Sequence, residues 1–267
     1  MASQWKVEPL CRRPMMTEDP ESGRMYEIDA TEGLRSLEAQ SVDLIVTDPA
    51  YDSLEKWRAM GTTPRLKKSK SSSNEWFPTV SPDYFNEFFK ECFRVLKRNT
   101  HIYVFCDPET MFHIQPILKE VGFNLKKPLI WHKVGKPISL PPGVISEKAV
   151  VRNPGAPGMG YPYRSCYEVL LFAQKGKRKP PSDKSVRDVL EFPRIKHKAA
   201  YPTEKPEPLL RTLIKQSSFE GDLVVDPFAG SGSTLRAALS MGRQAFGFDI
   251  QPSTVLNFAR DRNLLVS

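Results

Sequence analysis

Asp222-Leu223-Val224-Val225-Asp226-Pro227-Phe228-Ala229-Gly230-Ser231-Gly232-Ser233-Thr234 is the stretch that decides the fold. Leu223 to Asp226 reads as a buried strand, Gly230-Ser231-Gly232 as a tight turn, and Thr234 to Met241 as a helix whose unpaired N–H groups face that turn. Glycines there let the backbone approach a ligand closely. Gln244 to Phe248 reads as the following strand, ending at Asp249, which lies 17 residues (249 − 232) past Gly232. An acid near that offset is placed to grip ribose hydroxyls. A dinucleotide fingerprint would want a third glycine where Leu235 stands, and a P-loop would want a lysine where the chain has Ser233-Thr234. Both phosphate-binding readings are weakened by those departures.

Working outward, a second string has the same form. Val42-Asp43-Leu44-Ile45-Val46-Thr47 is a nearly continuous apolar run, as expected of a central parallel strand, and Asp48-Pro49-Ala50-Tyr51 follows at its C-terminal mouth. Open α/β sheets bind ligands at such mouths. Met25 to Ile28 reads as a strand ending at Asp29, and Thr31 to Leu37 as a short helix. Ser81-Pro82-Asp83 starts another helix, with Ser as N-cap, Pro in the first position and acid in the first turn. Its Tyr84, Phe85, Phe88, Phe89, Cys92, Phe93 and Leu96 recur at helical spacing and are read as core. Strands are expected at His101 to Cys106, Leu129 to Trp131 and Tyr167 to Ala173, with helices at Met111 to Val121 and Pro206 to Ser218. The chain then runs strand, turn, helix, strand and helix to Arg262. This alternation predicts an α/β fold: three layers around a mostly parallel sheet.

Composition narrows the partners. The formal charge is +8 and it is concentrated. Lys175 to Lys198 holds nine Lys or Arg against three Asp or Glu, and Asp52 to Ser72 holds six against two. Such segments resemble an electrostatic footprint for a polyanion, with solvated loops as the alternative. Residues 135–162 contain eleven Gly or Pro and read as an irregular excursion. The domain reading is an extension over 1–24 and one domain over 25–267, with loop-rich insertions at 52–78, 132–165 and 175–198. No apolar run approaches a membrane span, and Met1 to Pro20 lacks an apolar signal core. Cys11, Cys92, Cys106 and Cys166 are widely spaced, so reduced thiols in the cytoplasm are expected. His101, His113, His132 and His197 show no metal-ligand spacing, and no metal is expected.

With both strings in view, the chain resembles the amino-group (adenine-N6 and cytosine-N4) DNA methyltransferases, which carry a D/N/S-P-P-Y/F catalytic motif and an F-x-G-x-G cofactor motif. Here the catalytic string comes first, similar to the β order of that family, and the resemblance covers most of residues 25–262. Tyr201-Pro202-Thr203-Glu204-Lys205-Pro206 resembles the family's segment before a helix that flanks the cofactor. Trp131-His132-Lys133 and Glu168-Val169-Leu170-Leu171-Phe172 resemble segments on the target side. The resemblance implies a Rossmann-like S-adenosyl-L-methionine-dependent fold with an inserted target-recognition region. It implies Asp48, Pro49 and Tyr51 as catalytic residues. It implies Asp29, Thr203, Lys205, Asp226, Phe228, Gly230, Ser231, Gly232, Thr234 and Asp249 as cofactor-binding residues. A homodimer and a restriction–modification setting are further expectations of the same kind.

The chemistry fits those residue types. An adenine amine is a poor nucleophile because its lone pair is delocalised into the ring. A carboxylate accepting one N–H, with the Pro49 carbonyl accepting the other, favours the pyramidal geometry in which the nitrogen attacks. Negative groups nearby stabilise the charge that builds on nitrogen. Tyr51 would stack on a base flipped out of the duplex. Ala50 departs from the family's second proline, leaving the backbone carbonyl in place and the loop less restricted. Adenine N6 in DNA is the leading target, since related cytosine-N4 enzymes more often carry Ser at the first position. Cytosine N4, RNA, and a non-catalytic nucleic-acid-binding module of this fold are the alternatives. None of the basic loops contains a long helix to lay in a groove, so a short or relaxed target is expected. Asp29 as a helix cap and Asp249 as an acid in an Asx-type turn remain open beside their ligand roles.

Overall fold

The computed structural model of the protein describes residues 23–49, 82–135, 165–177, 180–195 and 204–251. Ala50, Tyr51, the 52–78 segment, Ser81, Thr203, most of the 135–162 excursion and the terminal helix lie outside the described residues.

Among the described residues the strands are β1 (Gly23–Glu27), β2 (Val42–Thr47), β3 (Leu96–Cys106), β4 (Asn124–Leu125), β5 (Leu129–Lys133), β6 (Tyr167–Lys175), β7 (Val189–Phe192), β8 (Leu223–Asp226) and β9 (Gln244–Asp249). The helices are α1 (Ala30–Ser36), α2 (Pro82–Val95), α3 (Pro108–Val121), α4 (Glu207–Ser217) and α5 (Ser233–Leu239). One sheet runs β1-β9-β8-β2-β3-β6-β5-β7, with β4 also paired to β6. The block β1-β9-β8-β2-β3 is parallel throughout. β6 runs antiparallel to β3 and β5, and β7 is parallel to β5. The sheet is therefore mixed and mostly parallel, as the alternation of elements predicts.

Two apolar clusters divide between the faces of the sheet. Phe85, Phe88, Phe89 and Cys92 of α2, with Ile114 and Leu118 of α3, join Ile45, Ile102, Val104 and Val225. Leu209, Leu210, Leu213 and Ile214 of α4, with Leu235, Ala237 and Ala238 of α5, join Leu44, Val46, Val224 and Phe105. This is the period-2 alternation of a sheet buried on both sides. The α2 aromatics are core: Phe88 and Phe89 are fully buried with ring centroids 5.0 Å apart. Helix ends follow local chemistry. Asp107 caps α3 by accepting from the Thr110 amide at 2.6 Å, and α3 stops at Gly122, whose φ of 109° suits glycine. No helix among the described residues is long and apolar enough to cross a membrane.

Three differences from the sequence reading have physical causes. First, β3 begins at Leu96 rather than His101, because the register to β2 slips between Leu96 and His101, where Asn99 adopts φ 64°. Second, residues 175–198 are not one loop. Val189–Phe192 forms the edge strand β7, whose sequence Val-Leu-Glu-Phe is too short and too little alternating to show the exposed–buried alternation it adopts. Third, the basic segment is split by the sheet. β6 runs downward, so Lys175 ends it at the edge opposite the strand mouths, paired with Thr100. The Lys175 ammonium donates to the carbonyls of Phe93 (2.5 Å) and Leu96 (2.6 Å), where a cation complements the negative end of α2. Lys175 thus caps the end of α2, a role that its place in a basic segment did not signal. Ser182 and Asp183 stay on that edge, bonded to Gln216 near the end of α4.

Candidate active site

Adjacent strands β2 and β8 come from opposite halves of the chain, and their connections leave in opposite directions. β2 leads through α2 to β3 on one side, and β8 leads through α5 to β9 on the other. The parallel sheet therefore has its topological switch point between β2 and β8, where a crevice opens beyond the carboxyl ends. Asp48-Pro49 follows β2, and the turn Pro227 to Gly232 follows β8. The two strings that stand about 180 residues apart in sequence thus meet at one mouth.

The glycine turn is built from within. Gly230 and Gly232 have φ of 50° and 73°, and Gly232 is the left-handed N-cap of α5. Asp226 is buried and accepts from the Phe228 amide at 3.1 Å. Burial pushes its carboxyl up to about 7, helped by Asp48, against the hydrogen bonds from Thr234 and Phe228. Thr234 is buried as well. Asp226 and Thr234 therefore shape the turn from beneath. Asp249 ends β9, accepting from the Gly230 amide at 2.9 Å and the Gln251 amide at 2.8 Å. The second bond is the Asx-type turn left open by the sequence. A carboxylate has about four acceptor positions, so ribose hydroxyls are compatible with both bonds.

Asp29 has its capping role too. It accepts from Thr31 and Glu32 at the start of α1, and from the Tyr84 hydroxyl at 2.9 Å. Tyr84 packs toward Phe88 and Phe228, and the Phe228 ring centroid lies 5.2 Å from that of Phe88. Burial raises the Tyr84 phenol to about 12, so it stays a donor. One wall of the mouth is therefore aromatic and ends in a carboxylate.

On the other side of the switch point the charges alternate. The Lys205 ammonium bonds Asp48 Oδ2 and lies 3.3 Å from Glu168 Oε2, and Lys133 Nζ lies 2.7 Å from Glu168 Oε1. Lys205 is buried, with its Nζ 5.1 Å from the Phe105 ring centroid. Burial opposes its charge, but Asp48 and Glu168 outweigh that and raise its pKa. Burial likewise opposes the Glu168 carboxylate, and Lys205 with Lys133 outweighs that and lowers its pKa. Arg236 of α5 pairs with Glu204 and donates to the Ser231 carbonyl at 2.5 Å, tying the Lys205 segment to the glycine turn.

The described candidates thus gather at one mouth: Asp29, Asp48, Pro49, Lys205, Asp226, Phe228, Gly230, Ser231, Gly232, Thr234 and Asp249. The sequence expectation of Lys205 at the cofactor is joined by its direct bond to Asp48. Comparison with known proteins gives the family. Residues 42–259 match the DNA methylase family whose members act on amino N6 and N4 positions. The chain belongs to this DNA methylase family. Type II methyltransferase M.HpaI of Haemophilus parainfluenzae is 27% identical over 90% of this chain and 73% of its own length. The DNA adenine methyltransferase YhdJ of Escherichia coli (strain K12) is 28% identical over 83% of this chain and 76% of its own. A Thermus thermophilus protein solved in complex with S-adenosyl-L-methionine superposes with a TM-score of 0.59 at 25% identity, covering 92% of this chain and 99% of that one.

Sequence reasoning passed over several residues of this DNA methylase's mouth. Glu168 and Lys133 were legible as charges at the mouth ends of apolar strands, and both stand in segments that resemble the family's target side. Tyr84 was hidden within a helical stripe of aromatics. The Glu204–Arg236 pair spans 32 positions and carries no local signal.

Proposed function

We propose that the chain transfers a methyl group from S-adenosyl-L-methionine to the exocyclic N6 amine of an adenine in DNA. The observation that carries this reading is the meeting of Asp48 and the glycine turn across the β2/β8 switch point. The donor set fits the cofactor. A mouth lined by Asp29 and Asp249, with no lysine in the glycine turn, suits hydroxyls, an ammonium and a cationic centre, and is unsuited to phosphates. Phe228 and Tyr84 offer apolar surface to an adenine ring.

When bound, S-adenosyl-L-methionine supplies an electrophilic methyl on a sulfonium; its C–S bond breaks as the N–C bond forms, and sulfur keeps the electron pair. The residues of this chain prepare the nitrogen. Asp48 accepts one amine N–H, the Pro49 carbonyl accepts the other, and Tyr51 stacks on the flipped base. The Asp48 carboxylate stabilises the positive charge on nitrogen. It is also the base that would take the proton the nitrogen must then release. Asp249 and Asp29 would hold the cofactor's ribose and adenine ends. Adenine is favoured by Asp at position 48 and by the likeness to an adenine methyltransferase.

Incubation with methyl-labelled S-adenosyl-L-methionine and duplex DNA, followed by nucleoside analysis, tests the reading. Label in N6-methyladenine is expected. Label in N4-methylcytosine would keep the reaction type and overturn the base. Label in RNA alone, or none in any nucleic acid, would overturn the function.

A further inference from the structure

We infer that Glu168 is a positioning residue, giving Lys205 a second carboxylate seat so that its ammonium does not close over Asp48 when the target amine arrives. The inference rests on the methyl-transfer reading above. Asp48, Lys205, Glu168 and Lys133 form an alternating row across β2, β6 and β5, with Lys205 held between two carboxylates.

Lys205 has little room to leave. It is buried above the Phe105 ring, Pro206 behind it is the N-cap of α4, and Glu204 before it is tied to Arg236. Its ammonium therefore has two charged seats at the mouth. The Glu168 seat is held firmly. Glu168 is paired through β6 to Trp131 on β5, and its other oxygen is 2.7 Å from Lys133.

The row resolves a conflict in the proposed chemistry. Asp48 must accept an amine N–H and face a nitrogen that turns positive. An ammonium resting wholly on Asp48 competes for that carboxylate and adds like charge beside the nitrogen. A negative Glu168 on the far side draws the ammonium away. Without it, Lys205 belongs to Asp48 alone.

A double-mutant cycle tests this, using the full chain and four proteins: wild type, Glu168→Gln, Lys205→Met and the double variant. Contacting residues couple measurably in such cycles. Glu168→Gln is expected to lower the single-turnover methylation rate about ten-fold with Lys205 present and less than about two-fold in the Lys205→Met background. Affinity for S-adenosyl-L-methionine should stay within about two-fold between wild type and Glu168→Gln. Equal rate losses in both backgrounds would overturn the inference, as would a loss of cofactor affinity as large as the loss of rate. A readout without turnover is the carboxyl carbon signal of Asp48, followed by NMR across pH. Its titration should move lower in Glu168→Gln than in wild type, and move much less when Met replaces Lys205. Asp226, the titratable neighbour across the switch point, is common to all four proteins. Equal movements in both backgrounds would overturn the placement. Should Glu168→Gln fold poorly, Glu168→Asp retracts the seat by one methylene and should give an intermediate rate loss; a wild-type rate would count against the inference. A wild type that methylates no nucleic acid, yet shows the Lys205-dependent NMR shift, would sink the functional reading and leave the second seat standing.

Discussion

Asp48 and Asp226 end neighbouring strands, and their carboxyls work under opposite conditions. Asp48 is paired with the Lys205 ammonium at the mouth. Asp48→Ala should lower methyl transfer by on the order of 10²–10³, as when one transition-state partner is lost. Calorimetry should find cofactor affinity close to that of wild type, and turnover near wild type would end the catalytic assignment. Asp226 is buried, and burial with the nearby Asp48 charge lifts its carboxyl from 3.8 to about 7. A carboxyl raised on folding contributes stability below its unfolded value, and that contribution is lost as pH climbs through about 7. Asn cannot ionise and keeps an oxygen for the Phe228 amide. The melting temperature of Asp226→Asn relative to wild type should therefore rise between pH 4 and pH 8. Parallel melting curves over that range would show that Asp226 is not held protonated near neutrality.

At the scale of elements, the missing third glycine of the turn has a counterpart across the interface. Leu235 stands where a dinucleotide fold keeps a glycine for close helix–strand packing. Room for it comes from Gly247 on β9. A Cβ on Gly247 would meet Ala229 Cβ at 2.8 Å and the Leu235 methyls at 2.9 Å. Gly247→Ala should destabilise the protein by about 1–3 kcal/mol, the usual range for overpacking. The cost should shrink in a Leu235→Ala background, and urea denaturation of the four proteins would measure the coupling. Additive effects would mean that Leu235 is not the clashing partner. The same contrast explains what the sequence made legible. β2, β8, β9 and the helices around them carry dense apolar runs bounded by turns, so their places followed from composition and period. The fit of Leu235 over Gly247, the edge strand β7 and the bulge before His101 depend on contacts distant in sequence. Glu168 and Tyr84 escaped for a related reason. Each lies in a segment whose apolar pattern dominates, and its polar role exists only once Lys205 or Asp29 is brought to it by the fold.

At the scale of the whole molecule, the sheet decides which basic residues can serve a bound polyanion. The mouth lies at one edge, and on the proposed reading a flipped base would enter there with its backbone across the rim. Lys175 caps α2 at the far edge, and Lys177, bonded through its amide to Asn99, is exposed beside it. Arg194 differs, because β7 rises parallel to β5 and delivers it past Phe192, which pairs with Lys133 at the mouth. Phosphate contacts give binding a salt dependence, with each one adding about 0.9 to the log–log slope on duplex DNA. Arg194→Gln is therefore expected to reduce that slope by about 0.9 and to weaken binding similarly for all sequences. Lys177→Gln, which removes the same charge from the same basic segment, should leave both slope and affinity as they were. Fluorescence-anisotropy titrations with duplex DNA from about 50 to 200 mM salt span a range in which the difference is measurable. Equal slopes for the two variants would mean that DNA follows net charge rather than the rim of the sheet, and would remove the reason for seating it at the mouth.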